Sequence, residues 1–221
     1  MYRDLILGSI HELEGEWNEV SLLVGDRGGY TQGGISSRAY PHLALSIENG
    51  SLTRSDIQDI YYDDYYSQIS GYKWLEIEMP ELLSLLFFGK VHGSGIRDYT
   101  LIIQRFLNEN SGGRLKLDGL WGPNTSFALQ QSGSLIQIEA WESVLSNKMK
   151  LIENRVNSVG SPKLNLGVSN RVARELRISW KLHTDRLVDV SKIASISPTL
   201  GRSVKRNLES ISISDSLTIY V

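Results

Sequence analysis

The chain has 221 residues, 41% hydrophobic and 22% charged, with a formal net charge of −2. That balance suits a globular protein with a real core and excludes a largely disordered chain. It has no cysteine, which excludes disulfides, thiolate metal sites and a cysteine nucleophile. No run approaches the roughly 18 apolar residues of a membrane span, and His11, Glu12 and Glu14 fall where a secretory leader would be apolar, so a soluble protein without its own signal peptide is expected.

The first predicted element is a helix. Ile6, Ile10, Leu13 and Trp17 recur at spacings of four, three and four, one stripe of a 3.6-residue period. Glu14 adjoins that stripe, and a carboxyl packed against Leu13 and Trp17 is expected to have its pKa raised, as a general acid needs. Residues 25–34 then hold five glycines, each costing about 1 kcal/mol against alanine inside a helix. They read as a tight loop or small hairpin whose backbone approaches something closely.

Thr53 with Asp56 three residues on is a capping-box variant that opens a second helix, with Ile57, Ile60 and Tyr61 on one face. Pro80 suits the first position of a third, running through Leu82, Leu83, Leu86 and Phe87. A fourth is predicted over 96–108, with Ile102, Ile103, Phe106 and Leu107 as its apolar side. The loop 117–125 leads into a fifth helix, and 135–154 forms a sixth.

Charge and pattern both change near Gly160-Ser161-Pro162, where a turn is expected. Residues 1–159 carry 13 Lys+Arg against 20 Asp+Glu, whereas 160–221 carry 10 against 5. Leu176, Ile178, Trp180 and Leu182 alternate with Arg177, Ser179, Lys181 and His183, and Ile211, Ile213, Leu217, Ile219 and Val221 alternate with polar residues. Period two reads as strands with one buried face. The expected fold class is mainly α: a helical domain over 1–159 with a glycine-rich loop or small hairpin, followed by a small β-rich, basic C-terminal module over 160–221. That module either docks on the helical domain or completes a sheet on another chain.

Chemistry-bearing patterns are few. His11, His42, His92 and His183 are scattered without a second ligand at turn or helical spacing, so no metal site is expected. No nucleophile elbow is present, and the glycine-rich segment lacks the closing Lys-Ser/Thr of a phosphate loop, so no cofactor is expected either. The basic residues of the second module are diluted by Asp185, Asp189 and Glu209 and lack interleaved aromatics, against nucleic-acid binding. Glu14 remains, and at this level a surface glutamate is the better reading, ahead of an acid catalyst.

Glu14-Gly15-Glu16-Trp17-Asn18, followed by Asp26-Arg27-Gly28-Gly29-Tyr30-Thr31-Gln32-Gly33-Gly34-Ile35-Ser36, resembles the opening of the phage-type lysozymes of glycoside hydrolase family 108. The likeness continues through Leu52-Thr53, Ile60-Tyr61, Tyr65-Tyr66, Val91-His92-Gly93, Gln104 and Asp118-Gly119-Leu120-Trp121-Gly122-Pro123-Asn124-Thr125, covering residues 3–155 in order. The chain departs from the family pattern at Glu16 (a glycine there), Arg27 (proline), His92 (asparagine) and Phe88 (aspartate). The resemblance implies a lysozyme-like domain that cleaves peptidoglycan glycan strands as an N-acetylmuramidase. Glu14 matches the catalytic glutamate; Asp26 is the candidate second carboxylate, and Thr31 a further catalytic-site group. Trp17, Gly28, Gly29, Tyr30, Gln32, Gly34, Tyr61 and Tyr65 are the candidate substrate-binding residues, offering ring faces, an amide and open backbone to a sugar.

The expected partners are glycan strands and, through residues 160–221, phage tail or baseplate proteins. The expected localisation is the virion tail and the host periplasm or cell wall, after synthesis in the host cytoplasm. Two alternatives stand: a soluble endolysin for lysis at the end of infection, and a retired lysozyme serving as a structural tail protein.

Overall fold

The computed structural model describes residues 2–14, 16–22, 29–93, 95–112, 114–156 and 171–184. Two short helices, α1 (Tyr2–Gly8) and α2 (His11–Glu14), take the place of the single helix predicted there. The Ser9 hydroxyl donates to Leu5 O at 2.7 Å as the first helix ends, and Ile10 O starts the next turn by accepting from Glu14 N at 2.9 Å. The apolar stripe survives the break. Ile6 and Ile10 are buried in the core, with Leu13 and Trp17 packed against it.

A three-stranded antiparallel sheet follows, made of β1 (Val20–Ser21), β2 (Thr31–Gln32) and β3 (Ile35–Ser36) in that order. Gln32 pairs with Ile35, leaving Gly33-Gly34 as a two-residue hairpin turn. Both glycines have positive φ, +52° and +80°, the left-handed pair that a type I′ turn demands. The glycine-rich stretch is therefore a small hairpin where described.

Next come α3 (Ala44–Glu48), α4 (Arg54–Tyr61) and α5 (Tyr72–Glu78). The Thr53 capping box is complete: Thr53 Oγ1 accepts from Asp56 N at 3.2 Å, and Thr53 N donates to Asp56 Oδ2 at 2.8 Å. Two longer helices form the centre, α6 (Pro80–Val91) and α7 (Gly95–Asn110). Pro80 sits in the first turn of α6, and every residue from Pro80 to Gly89 is buried, as expected of a helix apolar all round. A Cβ on Gly89 would lie 2.5 Å from Ile96 N, so this glycine lets the start of α7 cross directly against α6. α8 (Pro123–Gln131) and α9 (Ser134–Val156) complete the set, with α9 packed along α7.

The β-rich C-terminal module is overturned. Residues 171–184, which include the alternating stretch 176–183 read as a strand, form a helix, α10, and among the described residues the sheet lies between residues 20 and 36. The deciding pattern is in the charges: Arg171, Arg174, Arg177 and Lys181, spaced three, three and four, are all exposed, while Glu175, Leu176, Ser179 and Leu182 are buried on the other side. Four alternating apolar residues fit a strand, but Ile178 and Trp180 flank the buried stripe of a helix equally well, and the core accepts that stripe. Trp141 of α9 stacks on Trp180 with centroids 5.8 Å apart, and its Nε1 donates to Ser179 Oγ at 2.9 Å. Ser179 Oγ in turn donates to Glu81 O of α6 at 2.7 Å. The expected strand over 211–221 lies outside the described residues. The chain divides into compact units of 1–182 and 183–221, the second described only at its first two residues.

Candidate active site

Glu14 ends α2 at the foot of the β2–β3 turn. A Cβ on Gly34 would lie 2.9 Å from Glu14 Cβ and 2.3 Å from Tyr61 Oη, so only glycine lets the turn settle against both. Tyr61 Oη donates to Gly33 O at 3.2 Å and holds the turn from below. This is the close backbone approach expected of the glycine-rich segment, and what it approaches is the candidate catalytic carboxylate.

Three residues that the sequence does not mark as site residues complete the site. His92, where α6 ends, donates through Nε2 to Glu14 Oε1 at 2.6 Å and through Nδ1 to Glu175 Oε1 at 2.7 Å. Tyr99 of α7 donates its hydroxyl to Glu175 Oε2. The side chains of Glu14, His92 and Glu175 are 19%, 11% and 3% exposed, so the chain of hydrogen bonds runs inward from a partly open carboxylate to a sealed one. Glu14 Oε2 has no hydrogen bond among the described residues.

The electrostatics reverse the expectation for Glu14. Burial pushes its pKa up, but the hydrogen bond and charge of His92, with the more distant Arg171, outweigh burial and hold it below the ordinary carboxylate value. Burial acts on His92 too, disfavouring its cation, yet two carboxylates raise it to about 9. A proton on each ring nitrogen satisfies both bonds at neutral pH, and the C-terminal end of α6 also favours a cation. Burial and the Glu14 charge push the Tyr61 hydroxyl up, keeping it a neutral donor.

The other candidates divide. Gly34 and Tyr61 meet Glu14, but Tyr61 is only 2% exposed, so its ring is core rather than a surface for a sugar. Gln32 is fully buried and its amide is consumed: Nε2 donates to Trp17 O at 3.0 Å and Leu52 O at 2.8 Å, and Oε1 accepts from Leu52 N at 3.1 Å. It ties the sheet to the segment before α4 and has nothing left for substrate. Trp17 is half-buried, with the Arg54 guanidinium 5.4 Å above its ring and His11 beside it. Thr31 points to the face opposite Gln32, half-buried and paired with Ser36; Gly29 and Tyr30 are half-buried at the entry to β2. Tyr65 is half-buried, its ring 5.6 Å from that of Tyr61. Asp26 and Gly28 lie outside the described residues. Glu16 is exposed, so its charge sits in water rather than against Glu14.

A cleft of about 530 Å³ lies elsewhere, at the Asp118 turn, lined by Arg114, Lys116, Leu120, Asn124 and Phe127 among others, and Glu14 takes no part in it. Gln104 organises this turn by donating to Asp118 Oδ1 at 3.0 Å and accepting from Gly119 N at 3.0 Å.

The family model described as glycosyl hydrolase 108 matches residues 7–86. The chain is a lysozyme-like glycoside hydrolase. The matched stretch holds Glu14, the hairpin, Tyr61 and most of α6, while His92, Tyr99 and Glu175 lie beyond it. No curated protein and no solved structure matches the chain. The likeness to these lysozymes therefore stands over residues 7–86, and the extra C-terminal β-rich segment does not, since the described part of that segment is α10.

Proposed function

We propose that the hydrolase cuts the glycosidic bond after N-acetylmuramic acid in peptidoglycan, with Glu14 as general acid. The observation that carries this reading is the placement of Glu14: beneath a glycine turn, anchored through Oε1 to His92, with its side chain 19% exposed. In its acid form Glu14 passes a proton to the leaving glycosidic oxygen as the C1–O bond breaks. Water adds hydroxide to C1 and its remaining proton restores the acid. Asp26 is proposed to activate that water. Thr31, Tyr30, Trp17 and Tyr65, all half-buried near the sheet or the Tyr61 ring, remain the proposed sugar contacts.

Digestion of purified peptidoglycan by the wild type and by Glu14→Gln, with fragments identified by mass spectrometry, tests the reading. The wild type is expected to release fragments with reducing-end muramic acid, and the folded variant to lose on the order of a hundredfold or more of that activity. A folded Glu14→Gln that cuts as fast as the wild type refutes the role of Glu14. Carriage on a virion tail is proposed as the route to the wall, supported by the excess of basic residues over 160–221, which suits an anionic surface. Copurification with phage particles is the check on that route.

A further inference from the structure

Within the reading of Glu14 as the general acid, the geometry points to a role for residues beyond the family-matched stretch. We propose that His92 and Glu175 are positioning residues for Glu14: Glu175, clamped by Tyr99, orients the imidazole, and the imidazole fixes Glu14 Oε1 so that Oε2 faces the glycosidic oxygen. Helix α10 thereby becomes part of the catalytic apparatus.

The argument rests on three features. First, the contacts are continuous and short: Glu14 Oε1 to His92 Nε2 at 2.6 Å, His92 Nδ1 to Glu175 Oε1 at 2.7 Å, and Glu175 Oε2 to the Tyr99 hydroxyl. Second, the inner end is costly to bury and is fully used. Glu175 is 3% exposed and both its oxygens accept hydrogen bonds, from His92 and Tyr99, which offset the cost of burying a carboxyl group. Tyr99 is itself held from α9, where Lys148 Nζ lies 4.7 Å from the centre of its ring and pairs with Asp98 at 3.0 Å. Third, the outer end is where charge develops. As the proton leaves Glu14, negative charge builds on its carboxylate, and a fixed imidazolium at Oε1 stabilises that charge without rearranging.

The groups facing this set fix the sign of its pH dependence. Glu14 meets His92 from α6 and the Tyr61 hydroxyl from α4, and feels the Arg171 charge from α10. His92 meets Glu14 and Glu175; Tyr99 meets Glu175 and feels Asp98. Since the cation beside Glu14 lowers its pKa, the acid form is depleted as pH rises, and the alkaline limb of the activity profile falls early. Replacing His92 by the uncharged asparagine of the family pattern moves that limb to higher pH while slowing the reaction where Glu14 is protonated in both proteins.

The test compares full-length wild type, His92→Asn, Glu175→Gln and Glu14→Gln in kcat and KM across pH on solubilised glycan strands, and follows the His92 ring by NMR titration. The expected result for His92→Asn is a kcat loss of about tenfold to a hundredfold on the acid plateau with the alkaline limb shifted upward. For the isosteric Glu175→Gln, the His92 midpoint is expected to fall from about 9 by about one unit or more, with a loss in kcat and little change in KM. Limbs and midpoint that stay in place in active, folded His92→Asn and Glu175→Gln overturn the positioning role and leave Glu14 as the acid. A wild type that cuts no strand, or a fully active Glu14→Gln, overturns the reading of Glu14 and the role of its partners together.

Discussion

At the scale of the residue, Gly34 and Glu14 are the pair on which the site turns. Their side-chain-to-backbone contact leaves no room for even one methyl group, and Gly34 has a φ of +80° that L-residues seldom adopt. Gly34→Ala is expected to lose about 1–3 kcal/mol of stability and to displace Glu14, so that activity falls further than stability alone explains. Denaturant unfolding beside activity under fully native conditions checks both parts. Gln32 offers a contrast. Its amide makes three bonds to backbone, and Gln32→Ala is expected to destabilise by about 2–4 kcal/mol, since it leaves buried backbone groups unpaired. A substrate contact at the same position would instead raise KM and leave stability alone. The sequence marks both residues as important without saying which kind each is, because an amide facing sugar and an amide facing backbone are the same residue type.

At the scale of the element, local rules carried most helices. The Thr53–Asp56 box and Pro80 in the first turn of α6 are local signals, and the structure honours both. Thr53→Ala is expected to cost about 1 kcal/mol, read as a lowered Tm with no change in glycan cutting, because Thr53 and Asp56 bond each other rather than Glu14. Helices α3 and α5 carry weak local signals, at five and seven residues, and depend on the surfaces they cover. For α10 the apolar alternation misleads over eight residues, whereas the cation spacing across eleven points to a helix. A short amphipathic segment satisfies either period, and which wins depends on the surface it meets. Here that surface is the Trp141 ring and the carbonyl of Glu81, both suited to a helix face.

At the scale of the whole molecule, the site ties stability to pH. The His92 pKa rises from an ordinary 6.5 to about 9 on folding, so its contribution is fully present below 6.5 and is lost as pH climbs through 9. Glu14 works the other way: its folded value lies below 4.5, so its contribution is present above 4.5 and is lost as pH falls through the lowered value. Stability from this group of charges is therefore expected to be greatest between about pH 4.5 and 6.5 and to decline on both sides. Urea unfolding across pH is the measurement, and His92→Asn is expected to flatten the alkaline decline.

Sequence alone determined the mainly helical character and the hairpin's glycines, because each is written in local spacing or in a short motif, and a motif is also what puts Glu14 forward as the proposed acid. It also suffices for the lysozyme-like glycosidase activity, which the match over residues 7–86 supports. Only the tertiary structure decided that α10 is helical, that Gln32 and Tyr61 are spent on the fold, and that Glu14 is held as a carboxylate rather than kept neutral by burial. The reason is distance along the chain. His92 stands 78 residues from Glu14 and Glu175 another 83 beyond, so no periodicity or spacing connects them. Only the packing of α6 and α10 places an imidazole between two carboxylates, and the charge of that imidazole, not the apolar surroundings, sets the state of the acid.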